Sequence, residues 1–250
     1  DNDKVILCPV LAIIEKDYNG EMYHFKNTTL DLMVTPDHNM WVFDQNKRSE
    51  KTKIWKFLEA QEMTNNIYKF NKVGKKEEYN ITRNIKIPSS PLGDARNKKF
   101  LEINNEILYE LLGWFITDGS LHSKKFPYVR IFQKKEKGIK RIKYLLDSTN
   151  LEYSFSSKGY FHIKSRDLGE FFQDICYKDK NLKKSYNSFV PNFVKYAATN
   201  EIRAFLKGVI GGDGSVLKDG RIFIYTASEQ FAKDLIELLF KVGKTASYYP

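Results

Sequence analysis

The sequence predicts an α+β protein in which a repeated unit of helix, strand and helix follows a smaller, β-rich N-terminal segment. Three observations predict it. Short runs rich in β-branched and aromatic residues occur before residue 60. From Asn105 onward, apolar residues recur at the three- and four-residue spacing of a helix. The segment ELLGWFITDGSL at 110–121 then has a second version, AFLKGVIGGDGSV, at 204–216.

The N-terminal segment is expected to be built from short strands. Strand-like runs are VILCPVLAII (5–14), EMYHFKN (21–27) and LDLMVT (30–35), and they are separated by the turn sequences DYNG and TPDHN. Residues 64–100 are polar and rich in turn and linker residues. We therefore expect a boundary near residue 100, with one domain at 1–100 and a second at 101–250.

The second domain repeats its order of elements. Asp118 aligns with Asp213, 95 positions later, and each Asp-Gly-Ser is followed by a strand-like run, YVRIFQKK or RIFIYTAS. An amphipathic helix follows in both copies, at 136–150 and 229–243. The first repeat (101–195) continues with the strands YSFSS and GYFHIKS and a helix at 167–177. The second repeat (196–250) is expected to be incomplete, because the sequence reaches TASYYP where its further strands should begin.

Composition limits the class of protein. A hydrophobic content of 42% with 14% aromatic residues favours a folded chain over a disordered one. The net charge of +10 favours a polyanionic partner, and residues 101–250 carry 24 basic against 17 acidic side chains. Cys8 and Cys176 fit neither a zinc module nor a disulfide framework. Without a membrane-spanning run or a signal peptide, the chain is expected to be intracellular, cytoplasmic or nucleoid-associated, and not secreted.

The two repeated helices are expected to pack on each other and to bring two carboxylates together. Each has small residues four positions apart on one face, Gly113 with Thr117 and Gly208 with Gly212. Each then ends at an aspartate, Asp118 or Asp213, followed by a glycine suited to a helix C-cap. Adjacent carboxylates at helix C-termini repel each other, so a hard cation such as Mg²⁺ (or Mn²⁺) is expected between them. A single Asp-Gly after an apolar run is more often an ordinary turn, and the duplication is what favours a metal site.

The segments LLGWFITDG and LKGVIGGDG resemble the paired motifs of the LAGLIDADG homing endonucleases. This resemblance implies a pseudo-twofold αββαββα fold, with the motif helices at its centre and strands lying along the DNA major groove. It implies a monomer with two pseudo-symmetric halves that cuts both strands of double-stranded DNA. Such an enzyme is a metal-dependent endodeoxyribonuclease, a hydrolase acting on ester bonds. The implied metal ligands are Asp118, Asp213 and the carbonyl groups of Thr117 and Gly212.

The resemblance also implies further site residues, with two departures. Gln133 matches the residue that orders the attacking water in one half, whereas Thr226 stands there in the other. A lysine expected before a Val-Pro pair is replaced by Ser188 and Phe189, which leaves Lys184 as the nearby candidate. Candidates for DNA contact on the strands and in the basic stretch at 124–143 are Lys124, Lys125, Arg130, Gln133, Lys135, Arg221, Tyr225 and Thr226. The alternative is that these side chains only face solvent.

A second resemblance concerns the N-terminal segment. VTPDHNMWV at 34–42 is similar to the Thr-x-x-His block of intein (Hint-type) splicing domains, with Thr35 and His38 matching. In that family the histidine polarises the peptide bond at the N-terminal splice junction, and endonucleases commonly lie within such domains. A β-turn begun by Pro36, with an incidental histidine, remains the alternative. The rival functions are therefore a nucleic-acid-binding protein that no longer cuts (a maturase or a regulator) and a chain whose main activity is protein splicing.

Overall fold

The computed structural model describes residues 4–5, 10–27, 30–45, 55–63, 67–70, 75–76, 85–88, 100–122, 127–176 and 184–249. Of these, residues 4, 5, 75, 76, 88, 100 and 184 are described by their backbone alone. The contacts divide the chain into two compact units, Asp1–Glu77 with Leu239–Pro250, and Glu78–Leu238. Most of the linker expected at 64–100 lies outside the described residues, so the boundary near residue 100 stays a prediction.

The first unit consists of short strands. They are β1 (Lys4–Val5), β2 (Tyr23–Asn27), β3 (Leu30–Val34), β4 (Asn39–Asp44), β5 (Trp55–Glu59), β6 (Tyr68–Phe70) and β7 (Lys75–Lys76), and a 3-10 turn spans Ala60–Glu62. The antiparallel pair β2–β3 confirms the strands expected at 21–27 and 30–35. Strand β4 lies between β5 and β6 in an antiparallel sheet, and β1 pairs with β7 in parallel. Alternate residues of these strands point inward and form a core of Val34, Met40, Val42 and Ala60.

The strand expected at 5–14 is wrong for residues 10–14, and residues 6–9 lie outside the described residues. Residues 10–19 are neither strand nor helix, and the side chains of Leu11 and Ile13 are 96% and 83% exposed. An apolar sequence forms a strand only when a partner strand and a core receive it, and the described residues provide neither here. Cys8 also lies outside the described residues.

The second unit has the expected alternation of helices and strands. Its elements are β8 (Ile87–Pro88), β9 (Phe100–Leu101), α1 (Asn105–Asp118), β10 (Gly119–Leu121), β11 (Val129–Phe132), α2 (Glu136–Asp147), β12 (Tyr153–Ser156), β13 (Tyr160–Ile163), α3 (Arg166–Cys176), α4 (Lys184–Asn187), α5 (Asn192–Lys195), α6 (Thr199–Asp213), β14 (Gly214–Val216), β15 (Ile222–Ile224) and α7 (Glu229–Lys241). The predicted helices at 136–150, 167–177 and 229–243 are confirmed. None of the described helices combines the length and hydrophobicity that a membrane span needs.

The order of elements repeats as the sequence indicates. Helix α1 leads into β10, β11 and α2, and helix α6 leads into β14, β15 and α7. In the first copy, β12 and β13 extend the sheet to four antiparallel strands in the order β10-β11-β13-β12. Along β11 the residues alternate between the buried Val129 and Ile131 and the more exposed Arg130 and Phe132, so one face of the sheet covers the core and the other is open.

Candidate metal and nucleic-acid site

Helices α1 and α6 pack against each other more extensively than any other pair of described elements. Their contact is reciprocal. A Cβ atom added to Gly113 would lie 2.3 Å from the carbonyl oxygen of Phe205 and 2.9 Å from the amide of Val209. A Cβ atom added to Gly208 would lie 2.2 Å from the carbonyl oxygen of Glu110 and 2.9 Å from the amide of Trp114. The expected packing of the small-residue faces is confirmed, with two glycines at the crossing point.

The N-terminal ends of the same helices are joined by two matching hydrogen bonds. Asn105 donates its side-chain amide to Glu201 over 2.7 Å, and Asn200 donates to Glu106 over 2.7 Å. The two asparagines are 95 positions apart, as are the two glutamates, and this is the offset that relates Asp118 to Asp213. A twofold axis between the helices would produce this exchange, so the aspartates that end the helices lie on the same side of the unit.

Asp118 and Asp213 are the last residues of α1 and α6. A Cβ atom added to Gly212 would lie 3.2 Å from a carboxylate oxygen of Asp118 and 2.1 Å from the hydroxyl of Thr117. The Asp118 carboxylate is therefore at the contact between the two helices, beside the residue that precedes Asp213. The hydroxyl of Thr117 donates back to carbonyl oxygens of its own helix, at 3.1 Å, and fills the space beside Gly212.

The glycines after the aspartates are the C-cap residues of α1 and α6, as expected, but neither has the left-handed conformation common at helix ends. Gly119 has φ −95° and Gly214 has φ −79°, and both are extended. Glycine is required there for a different reason, which is space. An added Cβ would lie 2.5 Å from the Phe115 carbonyl oxygen at Gly119 and 2.3 Å from the Ile210 carbonyl oxygen at Gly214. At the end of both helices the chain therefore turns into a strand immediately after the aspartate, which leaves the carboxylate at the end of the helix.

Gln133 contacts Asp118, and its role in ordering a water molecule stays a prediction. Its side-chain oxygen accepts hydrogen bonds from the backbone amides of Lys134, at 3.0 Å, and Lys135, at 2.8 Å. These bonds fix the orientation of the amide group, because only the oxygen can accept. The nitrogen then faces Asp118, 3.4 Å from the carboxylate oxygen. Gln133 is 6% exposed, so it lies on the inner side of the sheet and not beside Arg130 on the open face.

The second half has no equivalent amide. Thr226 accepts a hydrogen bond from the amide of Ser228 at 3.1 Å, the same two-residue backbone bond that Gln133 makes with Lys135. Threonine ends at this hydroxyl and cannot supply a further nitrogen donor. Ser188, at the position expected for a lysine, is buried, and its backbone carbonyl accepts a hydrogen bond from the Ser228 hydroxyl at 2.5 Å. The backbone of Lys184 begins α4, and its side chain lies outside the described residues.

The open sheet face carries one of the predicted DNA contacts and several residues that the sequence did not single out. Arg130 projects there between Ser120 and His162, its register partners on the neighbouring strands. Lys135 precedes α2 and is exposed, as are Arg221, which bonds Asp219 at 2.8 Å, and Tyr225. Lys124 and Lys125 lie outside the described residues. The residues missed on this face are His122, Tyr128, Tyr160, His162 and Lys164, and the alternation of polar and apolar residues in GYFHIKS was the available signal.

A buried carboxylate was also missed. Glu110 on α1 is 3% exposed and accepts two hydrogen bonds from Arg141 of α2, at 2.5 and 2.7 Å. Lys207 of α6 approaches it to 3.6 Å. Arg141 lies in the basic stretch for which the sequence suggested DNA contact or a solvated helix face. In the structure it connects α2 to the central helices. The bond to Glu110 also raises the pKa of Arg141 above its usual range.

The donors around Asp118 and Asp213 suit a hard divalent cation. They are the carboxylates that end two adjacent helices, and Mg²⁺ is commonly held by one or two carboxylates together with phosphate oxygens. In the part of the chain that the structure describes, no group of three or more His, Cys, Asp or Glu side chains could hold a metal by itself. A cavity of about 310 Å³ lined by Tyr109 and Glu201 lies at the opposite end of the helices and is not part of this site.

Comparisons with known proteins agree with the motif. Residues 200–250, which contain Asp213, match the family model described as LAGLIDADG-like domain. The chain is 23% identical over 254 residues to a protein named ATP-dependent Clp protease proteolytic subunit from Chlamydomonas moewusii. That alignment covers 92% of this chain and 24% of the other, so the chain spans about a quarter of the relative's length.

Similar solved structures include I-DmoI in complex with DNA and Mn (18% identity, 58% of this chain, 82% of that chain, TM-score 0.40). Others are mesophilic variants of the homing endonuclease I-DmoI (18% identity, 54% of this chain, 71% of that chain, TM-score 0.37). I-DmoI in complex with DNA and Ca is similar at 19% identity, 54% of this chain, 71% of that chain and a TM-score of 0.36. TM-scores of this size do not establish a common fold.

Proposed function

We propose that this protein is a site-specific endonuclease that cuts double-stranded DNA with Mg²⁺ or Mn²⁺. The observation that carries the proposal is the position of Asp118 and Asp213, which end the two helices of one tight crossing. The match of residues 200–250 to a LAGLIDADG-like domain supports it, because the second aspartate lies within that match. The net charge of +10 favours the same polyanionic substrate.

The residues of the chain have separate tasks in this proposal. Asp118 and Asp213 would hold the divalent cation, with the carbonyl groups of Thr117 and Gly212 close by. When bound, such a cation supplies electrostatic stabilisation of the charge that develops on a phosphate during hydrolysis. Gln133 holds the Asp118 carboxylate in place through its fixed amide nitrogen, and it can donate to a water molecule at the same position. The glycines at the crossing bring the two helix ends close enough to serve one site.

The two halves of the site are chemically unequal. The half that contains Asp118 has the Gln133 amide, whereas in the other half Thr226 offers only a hydroxyl that already accepts the Ser228 amide. Strand contacts to DNA would come from the open sheet face with Arg130 in the first half, and from Arg221 and Tyr225 in the second. Arg130 is the strongest of these candidates, because its guanidinium can donate hydrogen bonds to the oxygen atoms of DNA.

The test is to incubate a randomised DNA library with the full chain and Mg²⁺ and to sequence the ends that are produced. The double variant Asp118→Asn, Asp213→Asn should lose cleavage and keep its affinity for DNA. Asp174→Asn, an exposed aspartate on α3, is the matched control and should cut like the parent. Loss of both cleavage and binding in the double variant would instead give the aspartates a structural role. DNA binding by the parent without any Mg²⁺-dependent cleavage would favour the maturase or regulator.

We infer in addition that this endonuclease lies within a protein-splicing element. Thr35 and His38 lie in one β-turn, in which the His38 amide donates to the Thr35 carbonyl at 3.1 Å. The Thr35 hydroxyl donates to the Asp37 carboxylate, and this bond lowers the pKa of Asp37. The alignment with a quarter of a much longer protein is also what an inserted element predicts. Mass spectrometry of the full precursor should detect the joined flanking segments, and His38→Ala should prevent their joining; an unspliced parent precursor would refute this part.

A further inference from the structure

The open face of the four-stranded sheet carries a group of side chains that the proposed cleavage chemistry does not use. We call His122, Tyr128, Arg130, Tyr160 and His162 the His162 cluster. The His162 ring lies 5.7 Å from the ring of His122 and 5.7 Å from that of Tyr128, centroid to centroid. The guanidinium of Arg130 lies 5.0 Å from the centre of the Tyr160 ring. The two imidazoles and the guanidinium therefore share one small area of the sheet.

The cluster is incompletely satisfied in the protein alone. The Nε2 atom of His162 and the Nε atom of Arg130 are both shielded from solvent, and neither has a hydrogen-bond partner among the described residues. Shielded nitrogen atoms of this kind are normally paired. The Arg130 nitrogen is a donor, and the His162 nitrogen becomes one when the ring is protonated. An acceptor would therefore pair both nitrogen atoms once the ring is protonated, and a negatively charged one would suit the cluster best.

The charges that face His162 are all of one sign. Arg130 on β11, His122 after β10 and Lys164 at the end of its own strand each act against its protonation, and burial of the ring does so more strongly. The residue opposite His162 on β12 is the uncharged Ser154. Glu152 accepts the Lys164 amide through its backbone carbonyl, and its side chain is not among the groups that act on His162. Together these effects keep the pKa of His162 below its ordinary value, so the ring is neutral at neutral pH.

We propose that the His162 cluster binds a phosphate group of double-stranded DNA and that His162 takes up a proton when the phosphate binds. This proposal rests on the proposed function, because it needs the open sheet face to lie against DNA. The phosphate supplies the negative charge that the cluster lacks, and it offsets the repulsion from Arg130, His122 and Lys164. Binding and protonation of His162 then favour each other, so the affinity for DNA rises as the pH falls.

The experiment measures the dissociation constant of the full chain for a random-sequence DNA duplex at a series of pH values and constant ionic strength. EDTA is present throughout, so that a metal ion held by the two imidazoles cannot contribute. The parent should bind up to about tenfold more tightly for each unit of pH decrease, between the lowered pKa of free His162 and its higher pKa in the complex. His162→Gln should lose this dependence and should match the parent at high pH. His24→Gln, which changes an exposed histidine bonded to Asp31 at 2.6 Å, is the matched control and should keep the dependence.

Three results would overturn the proposal. The first is a pH dependence that persists unchanged in His162→Gln, whose folding is checked by thermal unfolding. The second is tight DNA binding by the parent that does not vary with pH, which would leave the proposed endonuclease intact. The third is an equal proton uptake when inorganic phosphate replaces the duplex, which would assign the cluster to free phosphate. Absence of DNA binding at every pH would instead remove the proposed function itself, and this inference with it.

Discussion

The close crossing of α1 and α6 at Gly113 and Gly208 predicts that a larger residue at Gly208 destabilises the protein. In Gly208→Ala, the new Cβ atom would lie 2.2 Å from the carbonyl oxygen of Glu110, 2.9 Å from the amide of Trp114 and 3.0 Å from the Cα atom of Gly113. All three neighbours are backbone atoms, so no side chain can rotate away. The helices must move apart, and the separation would also act on the two aspartates at their ends.

The magnitude follows from two opposing effects. Inserting a methyl group into a well-packed contact costs about 1–3 kcal/mol, and the short distances to rigid backbone place this substitution near the upper end. Alanine is a better helix former than glycine and returns about 1 kcal/mol. The net loss is about 2 kcal/mol of unfolding free energy. For a unit of this size that corresponds to a decrease in melting temperature of roughly 4–8 °C.

The assay is thermal and urea unfolding of the full chain, compared with Arg203→Ala on the same helix. Arg203 is exposed, so its replacement should change the stability by less than about 0.5 kcal/mol. Gly113→Ala should cost about as much as Gly208→Ala, because the contacts of the two glycines are reciprocal. A Gly208→Ala variant that is as stable as the parent, or more stable through its better helix propensity, would refute the close crossing and with it the shared site.

Three further predictions concern charge. Arg141→Met should cost about 2–3 kcal/mol, because it leaves the buried carboxylate of Glu110 with only the Lys207 ammonium at 3.6 Å. Lys143→Met, in an exposed pair, should leave the stability nearly unchanged in the same urea titration. The pKa of His162 is lower in the folded protein than in the unfolded chain, so the unfolded chain binds the proton more tightly. The contribution of neutral His162 to the stability of the parent is therefore fully present above pH 6.5 and is lost as the pH falls from 6.5 toward the folded pKa. His162→Gln should flatten this part of a pH series of melting temperatures. The affinity for duplex DNA should fall linearly with salt concentration on logarithmic axes, and a salt-independent dissociation constant would contradict a phosphate-binding role.

Local patterns were sufficient for the repeated elements of the second unit, but not for β8, β9, α4 and α5. The apolar spacing from Asn105 located α1, and the repeated motif located α6 and the position of Asp213 at its end. The first unit was harder because apolar composition alone does not decide whether a strand finds a partner. The run at 5–14 has the composition of a strand, yet Leu11 and Ile13 are exposed. A hairpin such as β2–β3 is recognisable because its two strands are neighbours in the sequence.

The site shows the same division between local and distant information. The sequence indicated Gln133 as a site residue that orders water, but it could not place its side chain on the buried side of the sheet or beside Asp118. It placed Arg141 in a basic stretch, whereas in the folded protein Arg141 pairs with Glu110, 31 residues away. His122 and His162 are 40 positions apart in the sequence, and no motif there marks either of them as functional. They become a cluster only because β11 pairs with both β10 and β13.

The sequence by itself determined the helices, the repeated motif and the two aspartates, since these depend on residue spacing within a few turns of chain. Tertiary structure decided which groups share a space. It placed the Asp118 carboxylate beside the end of α6, and it showed that the glycines after the aspartates are needed for space and not for a left-handed turn. The physical reason is that van der Waals contact and charge act over a few ångströms, and only the folded chain fixes which distant residues come that close.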